Sequence, residues 1–329
     1  MTEPDPLATR EQLERLILGH SPAHTSDQVA ASAGVGLAEA RRLWRALGFP
    51  DVGDAAAFND ADQDALQRIG RAVTGGVLDF ETAVRLTRAV GQTMARLADW
   101  QVATLTGRVE DIEAGPEATG SRLGRAMEMV EETGPMFEQL LVYAWRRHLA
   151  ASVARVEALG AADEDLHSAP LTIGFADLVA FTSLSNGLDE SSLGDLVEGF
   201  ESKAADLIAS VGGRVIKALG DSVLFVSESA TAGVDTALQI VDVIAADASL
   251  PDVRVGMASG PVITRMGDVF GPPVNMAARL TTVARRNRVI IDHDTAARLP
   301  RDRFAVQSLP PRPLRGFGSV EPLAVRRTR

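Results

Sequence analysis

The chain has 329 residues, 46% of them hydrophobic, and its 33 basic and 44 acidic side chains give a net charge of -11. That length exceeds what one core usually organises, so two domains are expected, and the acidic balance argues against a protein held to nucleic acid or an anionic membrane by its overall field. No run of about 18 apolar residues is present, residues 1–10 carry charges and two prolines where a signal sequence would be apolar, and cysteine is absent, so a cytoplasmic protein with no membrane partner, disulfide or thiolate metal site is expected.

From residue 11 to about 160 apolar residues recur at helical spacing, as in Leu13, Leu16, Ile17 and again in Leu86, Val90, Met94, Leu97. Breaks fall at Gly48-Phe49-Pro50, Gly75-Gly76 and Gly115-Pro116, and a long helix over 137–159 is expected after Gly134-Pro135. Residues 1–150 therefore read as an all-helical domain. Within it, 26–49 has the pattern of a helix-turn-helix: Ala30 in a first helix, Gly34 at the turn, then a second helix with Arg41, Arg42 and Arg45. A DNA-binding regulator is thus an alternative function, although residues 1–170 hold 16 basic against 26 acidic side chains and the same fold also serves as a packing module. Residues 151–170, with Asp163, Glu164 and Asp165, read as an acidic linker.

After Pro170 the pattern changes to short apolar runs separated by helical stretches. Strands are expected over 171–175, 214–219, 223–226, 253–257 and 289–291, with helices over 193–211 and 230–246. This order predicts an α+β chain in which residues 171–329 form a ferredoxin-like βαββαβ sheet with its helices on one face.

Three segments of this half carry chemistry. In Gly174-Phe175-Ala176-Asp177-Leu178-Val179-Ala180-Phe181-Thr182 an apolar strand ends in a carboxylate and runs into a turn whose amides can face phosphate. In Ile216-Lys217-Ala218-Leu219-Gly220-Asp221 a glycine permits a tight turn with a second carboxylate at its tip. If the strands are neighbours, Asp177 and Asp221 can share divalent cations, and oxygen donors of this kind suit Mg²⁺. In the third segment, Gly267 to Leu280, Asn275 and Arg279 lie four apart and share a helix face if Pro272 opens a helix. Lysine is rare here: only Lys203 and Lys217 stand among the 33 basic residues. Taken singly, a Gly-Asp turn and an Asn-x-x-x-Arg pair are ordinary features of hairpins and solvated helices.

Together these residues resemble the class III nucleotide cyclases over about 171–326. The resemblance implies that Asp177 and Asp221 hold two Mg²⁺ or Mn²⁺ ions per site, with Phe181 and Thr182 in the turn where that family has Gly-Phe-Thr. It implies that Lys217 and Asp268 read adenine, that Asn275 and Arg279 act on the transition state, and that Arg315 stands where the family has a phosphate-binding lysine. The implied reaction turns ATP into 3',5'-cyclic AMP and pyrophosphate at the interface of a homodimer, nucleic acid not being a partner. A cyclase-like domain that binds nucleotide without turnover is disfavoured, since no motif residue is missing. The helical half before such a domain resembles the pH-responsive actinobacterial adenylyl cyclases, which points to His148, beside Arg146 and Arg147, and His167, after the acidic run, as regulatory residues. Like charges should delay protonation of the first and acidic neighbours should favour it at the second.

Overall fold

Helix boundaries in the first half follow local capping chemistry. In a computed structural model that describes residues 12, 13, 15–158, 168–265 and 267–328, helix α1 (Ser26–Ala33) starts at Thr25, whose side chain forms a reciprocal box with Gln28, and stops at Gly34 in the left-handed region. Helix α2 (Leu37–Leu47) ends the same way at Gly48. Asn59 caps α3 (Asp60–Thr74), and Asp79 caps α4 (Phe80–Glu113). The last helix, α5 (Arg122–Ala158), runs through Pro135, so the break expected at Gly134-Pro135 is absent; the proline removes one backbone donor without ending the helix.

The chain divides into two compact units, Met1–Ala151 and Ser152–Arg329. The core of the first gathers Val29, Leu43, Trp44, Phe58, Leu66 and Val84, with the Trp44 and Phe58 rings stacked 4.3 Å apart. The expected helix-turn-helix outline is there, and one of its three arginines is taken up within the unit. Arg42 forms a two-pronged bond to Glu81 (2.6 and 2.7 Å) and lies over the Phe80 ring, tying α2 to the start of α4.

The second unit is built on strands β1 (Ser168–Leu178), β2 (Arg214–Ala218), β3 (Ser222–Ser227), β4 (Val253–Arg265), β5 (Asp268–Phe270), β6 (Arg288–Ile291), β7 (Phe304–Ser308), β8 (Arg312–Leu314), β9 (Gly318–Val320) and β10 (Leu323–Arg327). The main sheet has the order β2-β3-β1-β4-β6-β10-β7, with β5 folded back on β4, while β8 and β9 form a separate hairpin. Its first four strands reproduce the expected order, β1 being flanked by antiparallel β3 and β4. Helices α6 (Phe181–Ser185), α7 (Glu190–Ser210), α8 (Ala230–Ala245), α9 (Pro272–Val283) and α10 (His293–Ala297) complete it.

One face packs Ala176, Leu178, Phe225, Val255 and Met257 against Phe200, Ala204 and Ile208 of α7 and Val234, Ala237 and Ile240 of α8. The expectation of helices on one face alone is corrected by α9, which lies on the other face against Ile173, Leu224 and Ala258. Gly256 makes this possible: a Cβ there would come within 2.2 Å of the Thr281 backbone nitrogen, so any side chain would push α9 off the sheet. Residues 151–158 continue α5, residues 168–170 begin β1, and the rest of the acidic stretch lies outside the described residues.

Candidate active site

Strand alternation sorts the chemistry. Ala176 and Leu178 enter the core beneath α7 and α8, so Asp177 between them points to the face shared with α9. Its register neighbours are Ser222 on β3 and Arg254 on β4. Asp221 occupies the hairpin between β2 and β3: Gly220 adopts φ +73°, the Leu219 amide donates to the Ser222 carbonyl at 2.7 Å, and the Leu178 amide donates to the Asp221 carbonyl at 2.8 Å. Two carboxylates 44 positions apart in sequence are thereby brought together at one end of the sheet. Burial pushes the Asp177 carboxyl above its usual range, Arg254 opposes the shift, and the charge of Asp221 adds to it.

Arg254, which the sequence analysis did not single out, donates from Nε at 2.7 Å and from Nη2 at 2.6 Å to Oδ2 of Asp177. The signal available for it was positional: a charged residue between Val253 and Val255, both fully buried, must point to the opposite face of the strand. The donor set at this end fits a hard divalent cation, because carboxylate oxygens are what Mg²⁺ and Mn²⁺ take. Among the described residues no cluster of three or more acidic or histidine ligands occurs, so such an ion would complete its shell from substrate and water.

Lys217 lies on β2 just after an irregularity in the β2–β3 register at Ile216. Its Nζ donates to Asp268 Oδ2 at 2.6 Å, joining β2 to the short strand β5. Burial raises the Asp268 carboxyl, but the Lys217 bond, the Val269 amide and the Lys217 charge outweigh it and hold the group below its usual range. The other lysine, Lys203 on α7, bonds Asp247, so each of the two lysines has an aspartate partner.

Pro272 and Pro273 open α9, as expected of residues whose missing N–H is no loss at a helix start. Its buried positions are Pro273, Ala277, Leu280 and Thr281; at about 100° per residue Asn275 and Arg279 project on the opposite side, and both are exposed. They are together as expected, but they face away from the sheet that carries Asp177 and Asp221. Phe181 and Thr182 begin α6: Phe181 leans on the core beneath α7 and α8, and Thr182 is exposed. Ala180 before them adopts φ 60° and ψ 24°. Arg315 is exposed in the turn between β8 and β9. His148 is exposed on α5, and His167 lies outside the described residues.

Residues 166–325 match the adenylate and guanylate cyclase catalytic domain. An adenylate cyclase of Streptomyces coelicolor is 43% identical, the match covering 97% of this chain and 89% of the relative. One from Streptomyces griseus is 38% identical over 97% of this chain and 88% of its own. A protein of Mycobacterium tuberculosis named pH-sensitive adenylate cyclase is 33% identical over 91% of this chain and 77% of its own. These relatives match across the helical unit as well as the sheet, and none of them carries a DNA-binding name, so the helix-turn-helix alternative is dropped. Matched in its sheet unit to that catalytic domain and nearly end to end to named adenylate cyclases, the chain belongs to the adenylate and guanylate cyclase family.

Proposed function

We propose that this chain is a cytoplasmic adenylate cyclase that converts ATP to 3',5'-cyclic AMP and pyrophosphate at two equivalent sites between two copies of itself. The observation that carries the reading is the division of the motif residues on one chain. Asp177 and Asp221 stand together at the sheet, whereas Asn275 and Arg279 point outward from the far side of α9. A second copy related by a two-fold axis can bring its outward pair to the first copy's carboxylates, which completes a site that one chain leaves split.

Each residue then has a task. Asp177 and Asp221 would hold two Mg²⁺ or Mn²⁺ ions, which when bound lower the pKa of the ribose 3'-hydroxyl and neutralise the departing pyrophosphate. Arg279 meets negative charge growing on the α-phosphate, Asn275 orients the ribose, and Arg315 offers a charge for the outer phosphates. Lys217 donates to adenine N1 while Asp268 accepts from the N6 amino group; guanine presents the reverse pattern at that edge. The 2.6 Å bond between these two side chains keeps a donor and an acceptor side by side, as reading adenine requires. Phe181 and Thr182 would meet the substrate's phosphates through the turn that opens α6.

The domain scheme we adopt is a helical regulatory domain over 1–150, a linker over 151–170 and a catalytic domain over 171–329, with His148 and His167 as the pH-responsive groups. Among the described residues no helix is long and apolar enough to cross a membrane. The decisive experiment is ATP turnover by the purified chain with Mg²⁺ or Mn²⁺, with cyclic AMP and pyrophosphate quantified together. Absence of cyclic AMP with either metal would sink the reading.

A further inference from the structure

Two strands across the sheet from the carboxylate pair, the sheet unit holds a cavity of about 640 Å³ beyond the end of α9. Its floor lies on the same face as α9, where Ile290, Ala324 and Gln307 are register neighbours across β6, β10 and β7. Helix α9 stops at Val283, and the small side chains of Ala305 and Ala324 leave the space open. The rim carries Arg285, Arg288, Arg312 and Arg326, all exposed, and no residue lining the cavity is acidic.

Several other cations of this unit are matched, while some, such as Arg279 and Arg315, are not matched among the described residues. Arg254 bonds Asp177, Arg286 faces Asp252, and Arg303 and Arg327 share Asp235. The side chains of all four rim arginines lack a hydrogen bond or ion pair among the described residues, and these four gather round one concavity. Guanidinium groups gathered around a concavity repel one another until an anion enters, and their planar forks suit phosphate oxygens. The volume falls in the range of small-molecule sites, and the floor and walls of Ile290, Leu309 and Pro310 give an apolar body something to rest on. The cavity is distinct from the carboxylate pair: Arg254 of β4, already engaged by Asp177, stands in register between Asp177 and Arg288.

We propose that this cavity is a second, non-catalytic site for a small molecule bearing two or more linked phosphates. The inference does not depend on which nucleotide the chain turns over. The chemistry is shared by inorganic polyphosphate and by nucleotides, so two probes are used on the full chain: inorganic tripolyphosphate and UDP, titrated calorimetrically in EDTA so that no divalent cation bridges phosphate to Asp177 and Asp221. Binding by either probe should weaken at least 10-fold in Arg288→Ala/Arg326→Ala and stay within twofold in Arg279→Ala/Arg315→Ala. Tighter UDP assigns an organic body on the apolar floor, and tighter tripolyphosphate assigns an inorganic chain. Basal ATP turnover of Arg288→Ala/Arg326→Ala should stay within twofold of the parent. If that variant fails to fold, Arg312→Ala on the opposite wall should still weaken binding several-fold. The proposal is overturned if neither probe binds the parent chain, or if affinity follows Arg279 and Arg315 and is indifferent to Arg288, Arg326 and Arg312.

Discussion

The helical unit and the sheet unit use their apolar residues in different ways. In the sheet unit β1 is paired on both sides, and the side chains between the sheet and α7 and α8 are almost wholly removed from water. In the helical unit the core is confined to α1 to α3 and the start of α4, while the long helices α4 and α5 leave large apolar groups outside, Trp100 at 55% and Trp145 at 62% exposure. Sheet pairing fixes every position relative to a neighbouring strand, so residues distant in sequence are held at a defined spacing. A long helix fixes only its own face. That difference fits the proposal of chemistry in the unit whose positions are mutually determined and of regulation through the unit whose long helices leave apolar groups exposed.

The strongest way to break this division is to remove the carboxylates. Asp177→Ala or Asp221→Ala should take cyclic AMP formation to background while the helical unit keeps its circular dichroism, since each change deletes a cation ligand. Ordinary turnover in either variant would mean that the sheet end is not the site.

That pair was legible in the sequence because two signals converged: an apolar strand ending in a carboxylate, and a glycine turn with a carboxylate at its tip. Asn275 and Arg279 were legible from helical spacing after a proline start. Arg254 was not singled out: its place between two valines marks the face it takes, but only the register puts it opposite Asp177. The strands β7 to β10 were missed for a related reason. All four have only three to five residues, and Arg312-Pro313-Leu314 looks like loop until its hairpin partner is known. Periodicity likewise placed a break at Pro135, but helix α5 continues through it.

A sharper test concerns which faces meet. Asp177→Ala mixed with Arg279→Ala should recover activity, because the mixed dimer rebuilds one intact site whereas neither parent dimer has any. With free exchange half of the dimers are mixed and each holds one good site of two, so about a quarter of the parent activity is expected. No recovery, with subunit exchange shown by labelled chains, would put both residues in the same site.

Selectivity is the next step down in size. Lys217→Glu with Asp268→Cys, the pair that the guanylyl cyclases of this family carry at matching positions, should abolish the preference for ATP over GTP. Changing both removes their mutual 2.6 Å bond and sets the new carboxylate beside a thiol, so folding of the variant is checked by circular dichroism. An unchanged ratio of kcat/KM for the two nucleotides would show that the base is read elsewhere.

The regulatory half of the comparison predicts a smaller, several-fold effect. Relative to residues 160–329 alone, the full chain should be more active near pH 6 than near pH 8, and His148→Ala with His167→Ala should flatten the difference. The isolated catalytic half is the necessary control, because ionisation of the 3'-hydroxyl drives any cyclase in the opposite direction. Protonation can shift the helical unit only by its different interaction with two arrangements of that unit. A constant activity ratio across this range would remove the histidines from the mechanism.

The smallest effect tests a local departure from the family pattern. Where the resembling cyclases have glycine before Phe-Thr, this chain has Ala180, and its backbone takes φ 60° and ψ 24°. In the left-handed region the Cβ crowds the following carbonyl, which costs roughly 1–2 kcal/mol. Glycine avoids that contact but loses more conformational freedom on folding, about 0.4–1 kcal/mol. The difference between those ranges runs from about 0 to 1.6 kcal/mol and centres on ~0.8 kcal/mol in favour of Ala180→Gly, a rise in Tm of roughly 2–3 °C for a unit of this size. Turnover should change little, since the Phe181 and Thr182 amides keep their directions as long as the turn keeps its φ. The comparison between units sharpens here: the gain should appear in the melting of the catalytic half and be absent from that of the helical half. A lower Tm, or an unchanged one, would show that the turn relaxes in solution to a conformation alanine tolerates.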